Sequence, residues 1–339
     1  MTLPIPNDAA AKPEVRFDPR AAHLTQDWAH TGRLLCCRVD PTGRFVGAGS
    51  TDHTVQRWEI ASGNKAPLAA HTNWVSSVGF SPDGATLYSG SYDGRWIAWE
   101  TSAASPQPLR TITAHEGWLR ALAVSGDGAW IATGGNDRLV KIWSSATGEQ
   151  VGELAGHPQQ VFCVQFVPGT RELVSGDISG NIHHWNGTEG KLLRQFDARD
   201  TSFLIGDKAP FGGVLNLAFN RDGSRLTATG HFKVSNAPAG NRRAVATTFN
   251  WKTGERVVRQ ESVKEERDAT LWRAVHHPRG PMLGIVAKEL GFWEPESVEL
   301  FHLLKTPSEM FDFDLHPNGL DLFTAHFDGH LRVYRCAPA

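Results

Sequence analysis

Four lines of the sequence align without internal gaps: "STDHTVQRW" ending at Trp58, "SYDGRWIAW" at Trp99, "GNDRLVKIW" at Trp143 and "DISGNIHHW" at Trp185. The closing tryptophans stand 41, 44 and 42 residues apart. Upstream of each lies a second marker: Ala29-His30, Ala70-His71, Ala114-His115 and Gly156-His157. A regular period constrains a fold more than any local propensity, because each unit must bury its apolar side against the next copy. Between the markers come turns of one kind, "DPTGR", "SPDGA", "SGDGA" and "VPGTR". Alternating apolar residues flank them, as with Val75, Val78, Phe80 and Leu87. Such period-two runs with Asp-Gly and Pro-Asp turns predict antiparallel hairpins. A unit of about 42 residues made of four short strands is a propeller blade.

The second half is degenerate but follows the same plan. "VLNLAFNRDGSRLTATG" is an inner hairpin, and "AVATTFNWKTGERV" is expected to close the fifth blade at Trp251. "LWRAVHHPRGPMLGIVAKE" with "SVELFHLL" gives a sixth, with Phe301 expected where the tryptophan would be. "MFDFDLHPNGLDLFTAHFDGHLRVYR" gives a seventh, with Thr324, Asp328 and Tyr334 at the usual steps. Only five residues follow Tyr334, too few for a fourth strand. Residues 21–27 are expected to complete that blade and close the ring, which removes exposed sheet edges. The prediction is an all-β, seven-bladed propeller spanning residues 13–339, after a flexible, Pro- and Ala-rich tail at 1–12.

These repeats resemble the WD40 family, in which each repeat carries a Gly-His pair, a turn Asp and a closing Trp-Asp. The chain departs from the pattern: the pair is more often Ala-His, and Glu59, Glu100, Ser144 or Asn186 follows the tryptophan. The resemblance implies a hydrogen-bonded set in each blade of His, strand Ser/Thr, turn Asp and Trp indole. His71, Ser89, Asp93 and Trp99 fit it at steps of 18, 4 and 6, and His115, Thr133, Asp137 and Trp143 repeat those steps. The first repeat keeps His30, Asp52 and Trp58 but has Ala48 for the hydroxyl. The fourth keeps His157, Ser175 and Trp185, with Ser179 at the Asp position. Buried imidazole, carboxylate and indole N–H groups each need a partner, which supplies the motive for such a set. The trio could be misread as a catalytic triad, but recurrence in successive blades marks a structural device. Trp58, Trp99, Trp143, Trp185 and Trp251 are assigned to that structural series.

Bulk properties remove several other classes. A net charge of −2 and a pI near 6.7 do not suit a dedicated nucleic-acid binder. Cys36, Cys37, Cys163 and Cys336 are too few and too irregularly spaced for a disulfide framework or zinc site. His183-His184 alternate faces of a strand and His276-His277 fall at a hairpin turn, so neither pair is expected to hold a metal. The start of the chain lacks the layout of a secretory signal, no run of 18 apolar residues occurs, and a cytoplasmic protein is expected. No phosphate-binding Gly-rich loop, GxSxG elbow or HExxH motif is present, and no cofactor or metal is expected.

Candidate binding residues come from the irregular positions. Residues 198–213, 230–243, 260–271 and 288–297 lengthen connections around blades five and six, and long ordered loops are more often functional than not. All four are expected on the face that carries the His and Asp loops. Trp74 and Trp118 stand where an inner strand begins, with Tyr92 and Asn136 expected beside them. Exposed aromatics at a concave rim anchor partners, although packing against a neighbouring blade is the plainer alternative. Phe232, Arg242, Arg243, Trp272 and Trp293 complete the candidate surface. Lys233 and Arg273 add to its basic character, which Glu265, Glu266 and Asp268 offset. The expected function is a non-enzymatic scaffold, monomeric in itself, that binds a protein or peptide and could serve in a multi-subunit complex. The alternative is a small-ligand or enzymatic site in the central channel, under the inserted loops.

Overall fold

The structure is a computed structural model, and it describes residues 15–205, 209–232, 241–261, 270–278, 280–286 and 288–338. Seven four-stranded antiparallel sheets account for almost all of it. Their strands, innermost (a) to outermost (d), begin in blade one with Leu34–Val39, Phe45–Ser50, Thr54–Glu59 and Lys65–Ala69. Blade two has Val75–Phe80, Thr86–Ser91, Arg95–Glu100 and Pro108–Thr113, and blade three Leu119–Val124, Trp130–Gly135, Val140–Ser144 and Gln150–Leu154. Blade four has Val161–Phe166, Glu172–Asp177, Asn181–Asn186 and Lys191–Asp197, and blade five Asn216–Phe219, Arg225–Phe232, Arg243–Asn250 and Arg256–Glu261. Blade six has Leu271–His276, Met282–Val286, Glu289–Trp293 and Leu300–Leu304.

Blade seven takes Met310–Leu315, Asp321–His326 and His330–Cys336 from the end of the chain, and its outer strand, Ala22–Ala29, from the start. Ring closure is therefore a β-pairing between residues some 300 apart, which covers the edge of His330–Cys336 and gives blade seven its fourth strand. The closing strand is also held by side chains of blades seven and one. Asp27 bonds His330 at 2.6 Å, and Trp28 stacks on Trp58 with centroids 6.3 Å apart.

The b and c strands are buried almost throughout, whereas the d strands alternate or face solvent, as in "eBeBe" for Lys65–Ala69. Apolar residues bridge adjacent blades: Trp185 of blade four packs with Ala132, Ile142 and Leu154 of blade three. Glycines on the b strands make room for this approach. A Cβ on Gly134 would lie 2.6 Å from Val161 Cγ1 of the next blade. The four thiols are buried, and burial pushes those of Cys36 and Cys336 up to about 12. Among the described residues, no helix is long and apolar enough to cross a membrane.

Candidate functional site

Three blades carry a complete buried relay. In blade three the Trp143 indole N–H donates to Thr133 Oγ1 at 2.9 Å, and that hydroxyl meets His115 Nε2 at 2.8 Å. His115 Nδ1 then faces Asp137 at 2.9 Å. Since the hydroxyl accepts from the indole, its own proton goes to Nε2, which leaves Nδ1–H to donate to the carboxylate. Blade two repeats the relay through Trp99, Ser89, His71 and Asp93 at 2.9, 2.9 and 3.0 Å. Burial opposes ionisation of Asp93, but bonds from His71, Arg95 and the Thr72 N–H outweigh it and hold the carboxyl well below its usual range. Ser89, Thr133 and Ser175 are wholly buried and saturated by their partners, so none is an available nucleophile.

Blade four completes its relay with Asp177, not Ser179: His157 Nδ1 lies 3.1 Å from Asp177 Oδ2, with Ser175 and Trp185 as expected. Asp177 sits two residues earlier, at the end of strand b, and its other oxygen caps the turn through the Ser179 and Asn181 N–H groups. In blade one, where Ala48 offers no hydroxyl, His30 turns Nε2 to Asp52 at 2.7 Å. In blade seven Thr324 bonds His326 at 2.8 Å, while Asp328 pairs with Arg332 at 2.7 Å.

Two closing aromatics differ from expectation. Phe249, not Trp251, holds the closing position of blade five, since it pairs with Leu226 as Trp99 pairs with Leu87. Ala228 faces that blade's hydroxyl position, so both polar partners have been exchanged for apolar groups, which is nearly neutral. Trp251 lies in the following turn against Phe196 and Phe219. In blade six the closing residue is Trp293, paired with Met282, while Phe301 lies on the outer strand. Gly284 stands where a hydroxyl would be, and the Trp293 Nε1 finds no partner among the described residues.

The rim of the channel is built by one recurring device. In the a–b ladders of every blade but the fifth, the first residue pair is followed by a register shift, between Val75 and Ser77 or Leu119 and Ala121, for example. A bulge re-aims its extra residue, and Leu35, Ser76, Arg120, Phe162, Trp272 and Phe311 line the channel at these positions. Just before the strand, a backbone bond ties each loop to the next turn: Tyr92 N–H donates to Trp74 O, and Asn136 N–H to Trp118 O, both at 2.9 Å. That bond sets Tyr92 beside Trp74 and Asn136 beside Trp118.

Across blades two to four these side chains form one ladder. Trp74 and Tyr92 have ring centroids 6.1 Å apart, and Tyr92 stacks on Trp118 at 4.5 Å with 7° between planes. The Arg120 guanidinium lies over Trp118 at 4.8 Å and over Phe162 at 4.1 Å, while its Nε donates to Asn136 Oδ1 at 2.6 Å. Trp74 and Trp118 are 43% and 42% exposed. Beneath the ladder lies a central cavity of ≈ 490 Å³ lined by all seven inner strands. On its far side Asp312 accepts from Cys37 N–H at 3.0 Å and Arg38 Nη1 at 2.6 Å, and lies 3.3 Å from Arg273 Nε. Those bonds stitch blade seven to blades one and six.

Comparison with known proteins agrees with the repeat geometry. The family description "WD domain, G-beta repeat" matches residues 23–59, 64–100, 106–144 and 148–186, which cover the closing strand, blades one to three and the first three strands of blade four. Four repeats of this chain thus match the WD40 family, within a propeller of seven blades. The chain is 26% identical over 212 residues to Protein groucho of Drosophila melanogaster, an alignment spanning 60% of this chain and 28% of that one. It is 26% identical over 172 residues to an uncharacterized WD repeat-containing protein of Schizosaccharomyces pombe, covering 48% and 47% respectively. The chain thus spans less than half the length of either relative. WD40 propellers act in general as protein-interaction scaffolds, and that class of function is the one the match supports.

The propeller distributes the other candidate residues unevenly. Trp272 is 39% exposed at the channel mouth. Trp293, expected on the binding face, is 1% exposed, because residues 288–297 are not a lengthened loop but strand c of blade six and its following turn. Phe232 and Arg243 end the long central strands of blade five, where Arg259 covers the Phe232 ring at 3.6 Å and Arg243 pairs with Glu261 at 3.3 Å. Arg242 is buried at 8% exposure, beside Phe211. Much of the 198–213 insertion forms a hairpin of Ser202–Ile205 and Ala209–Gly212. Lys233, Glu265, Glu266, Asp268 and the tail at 1–12 lie outside the described residues. Sequence reasoning missed Arg120, Phe162 and Phe311. The bulge position that turns these three into the channel has no signature of its own.

Proposed function

We propose that this propeller is a non-enzymatic scaffold that binds an extended protein segment across the aromatic ladder of blades two to four, as one subunit of a larger assembly. The contiguity of Trp74, Tyr92, Trp118, Arg120 and Phe162 carries the reading. Single exposed apolar side chains are ordinary, but a connected rim of large aromatics beside a concave opening is the composition of interface hot spots. Rings already stacked on one another also lose little freedom on binding.

The test is affinity capture from native lysate with wild type and Trp74→Ala/Trp118→Ala, with melting curves to show that the variant folds. A specific protein held by wild type and lost by the folded variant supports the reading, and equal retention sinks it. A small-molecule site in the channel is the second reading, favoured by the cavity of ≈ 490 Å³, within the usual range for ligand pockets. A metabolite that raises Tm equally in both forms would favour it.

A further inference from the structure

The channel mouth holds a cation, Arg120, that no carboxylate among the described residues neutralises. Arg38 and Arg273 also line the cavity, but each is matched: Arg38 lies 2.6 Å from Asp312, and Arg273 lies 3.3 Å from both Asp312 and Asp314. Arg120 differs. Its Nε is satisfied by Asn136 Oδ1, and among the described residues no carboxylate pairs with its Nη1 or Nη2. Its faces are occupied by Phe162, Trp118 and Tyr92, with Cζ 4.1, 4.8 and 5.5 Å from the three ring centroids. What is left to bond is the outer edge of the guanidinium. A half-buried charge of this kind loses hydration without regaining it from the protein, and burial accordingly shifts the Arg120 equilibrium towards the neutral form.

We propose that the segment bound at the rim presents an Asp or Glu carboxylate edge-on to Arg120, so that this arginine sets the charge preference of the binding face. The inference rests on the reading of the ladder as the partner-binding face. Guanidinium and carboxylate are both planar and pair through two parallel N–H···O bonds, an arrangement that stacking on the faces leaves open. Charge count points the same way. One unpaired positive charge matches a carboxylate, whereas a phosphate dianion would call for a second cation, and Arg38 and Arg273 are already neutralised. A basic segment is disfavoured at this end of the ladder, because Arg120 itself already lies over the Tyr92, Trp118 and Phe162 rings that would receive a Lys or Arg by cation–π contact.

The experiment uses short peptide libraries with a fixed central Glu, Gln or Lys, random elsewhere, probed with the purified full chain. The Glu library is expected to be retained about 10-fold better than the Gln library, about 1.4 kcal/mol, with Lys weakest. Arg120→Glu should reverse the order and Arg120→Lys should keep part of the Glu preference, with melting curves confirming that both fold. Equal retention of Glu and Gln, a Glu preference that survives Arg120→Glu, or no retained peptide at all overturns the proposal. Binding without charge preference that is lost in Trp74→Ala/Trp118→Ala would remove Arg120's role and leave the rim as the binding face. An Arg120-dependent Glu preference untouched by those two substitutions would do the reverse.

Discussion

Thr133→Val isolates the relay that holds blade three together. Valine keeps the β-branched shape but removes the hydroxyl that accepts from the Trp143 indole at 2.9 Å and donates to His115 Nε2 at 2.8 Å. Thr133 is fully buried and Trp143 is 5% exposed, so water does not easily replace it. A buried polar group left without its partner costs about 1–3 kcal/mol, and two are orphaned here. Allowing for some relaxation, the expected loss is about 2–4 kcal/mol. Unfolding entropy of about 2.1 cal/mol/K per residue translates that into a fall of about 3–6 °C in Tm if the ring unfolds as one unit. Thr133→Ser keeps the hydroxyl and should cost less than about 1 kcal/mol, by loss of a methyl group. The comparison is made by calorimetry and urea titration, followed by both circular dichroism and tryptophan fluorescence. If Val and Ser variants agree within about 0.5 kcal/mol, the relay does not stabilise the blade and the reasoning fails.

Other outcomes follow from the same structure. Burial holds His183, His231, His276 and His326 at about 4, against about 6.5 unfolded. The unfolded state therefore binds more protons between those values, and stability should fall as pH drops from about 6.5 to about 4. Each group contributes at most ~1.4 kcal/mol per pH unit, and His276→Gln should flatten the slope measured by Tm against pH. Asp312→Ala removes the acceptor of Arg38 and the Cys37 N–H while Arg273 keeps Asp314, and should cost about 1–3 kcal/mol, read by urea denaturation. Trp293→Ala should destabilise by about 3–5 kcal/mol and leave binding by folded molecules unchanged, as a pull-down on refolded protein would show. Removing residues 1–29 exposes the edge of His330–Cys336 and should give concentration-dependent aggregation in light scattering.

The fold was largely legible because repetition supplies its own control. Four aligned copies made the His, hydroxyl and Trp positions of blades two to four visible, and the missing strand after Tyr334 pointed to the start of the chain, where Ala22–Ala29 indeed pairs with it. Legibility ended where polar partners were exchanged in concert. Phe249 replaces a tryptophan in a blade whose hydroxyl is also gone, so no motif survives to distinguish it from Trp251 two residues on. Asp177 fills its role from strand b instead of the turn, a substitution that depends on reach in three dimensions. At the rim, Trp74 and Trp118 could be picked out by residue type. Arg120 could not, because its interest lies in lacking an acid, and that is a property of its surroundings.

The central claim is that partners dock on the ladder side of the ring. Replacing Tyr92 at the rim, and separately Asp83 in the a–b turn on the opposite face, with a photo-crosslinking amino acid tests it in native lysate. The account predicts a discrete adduct from position 92, reduced when Trp74 is also changed to Ala, and none from position 83. Adducts from position 83 alone would place the working surface on the other face and contradict the account.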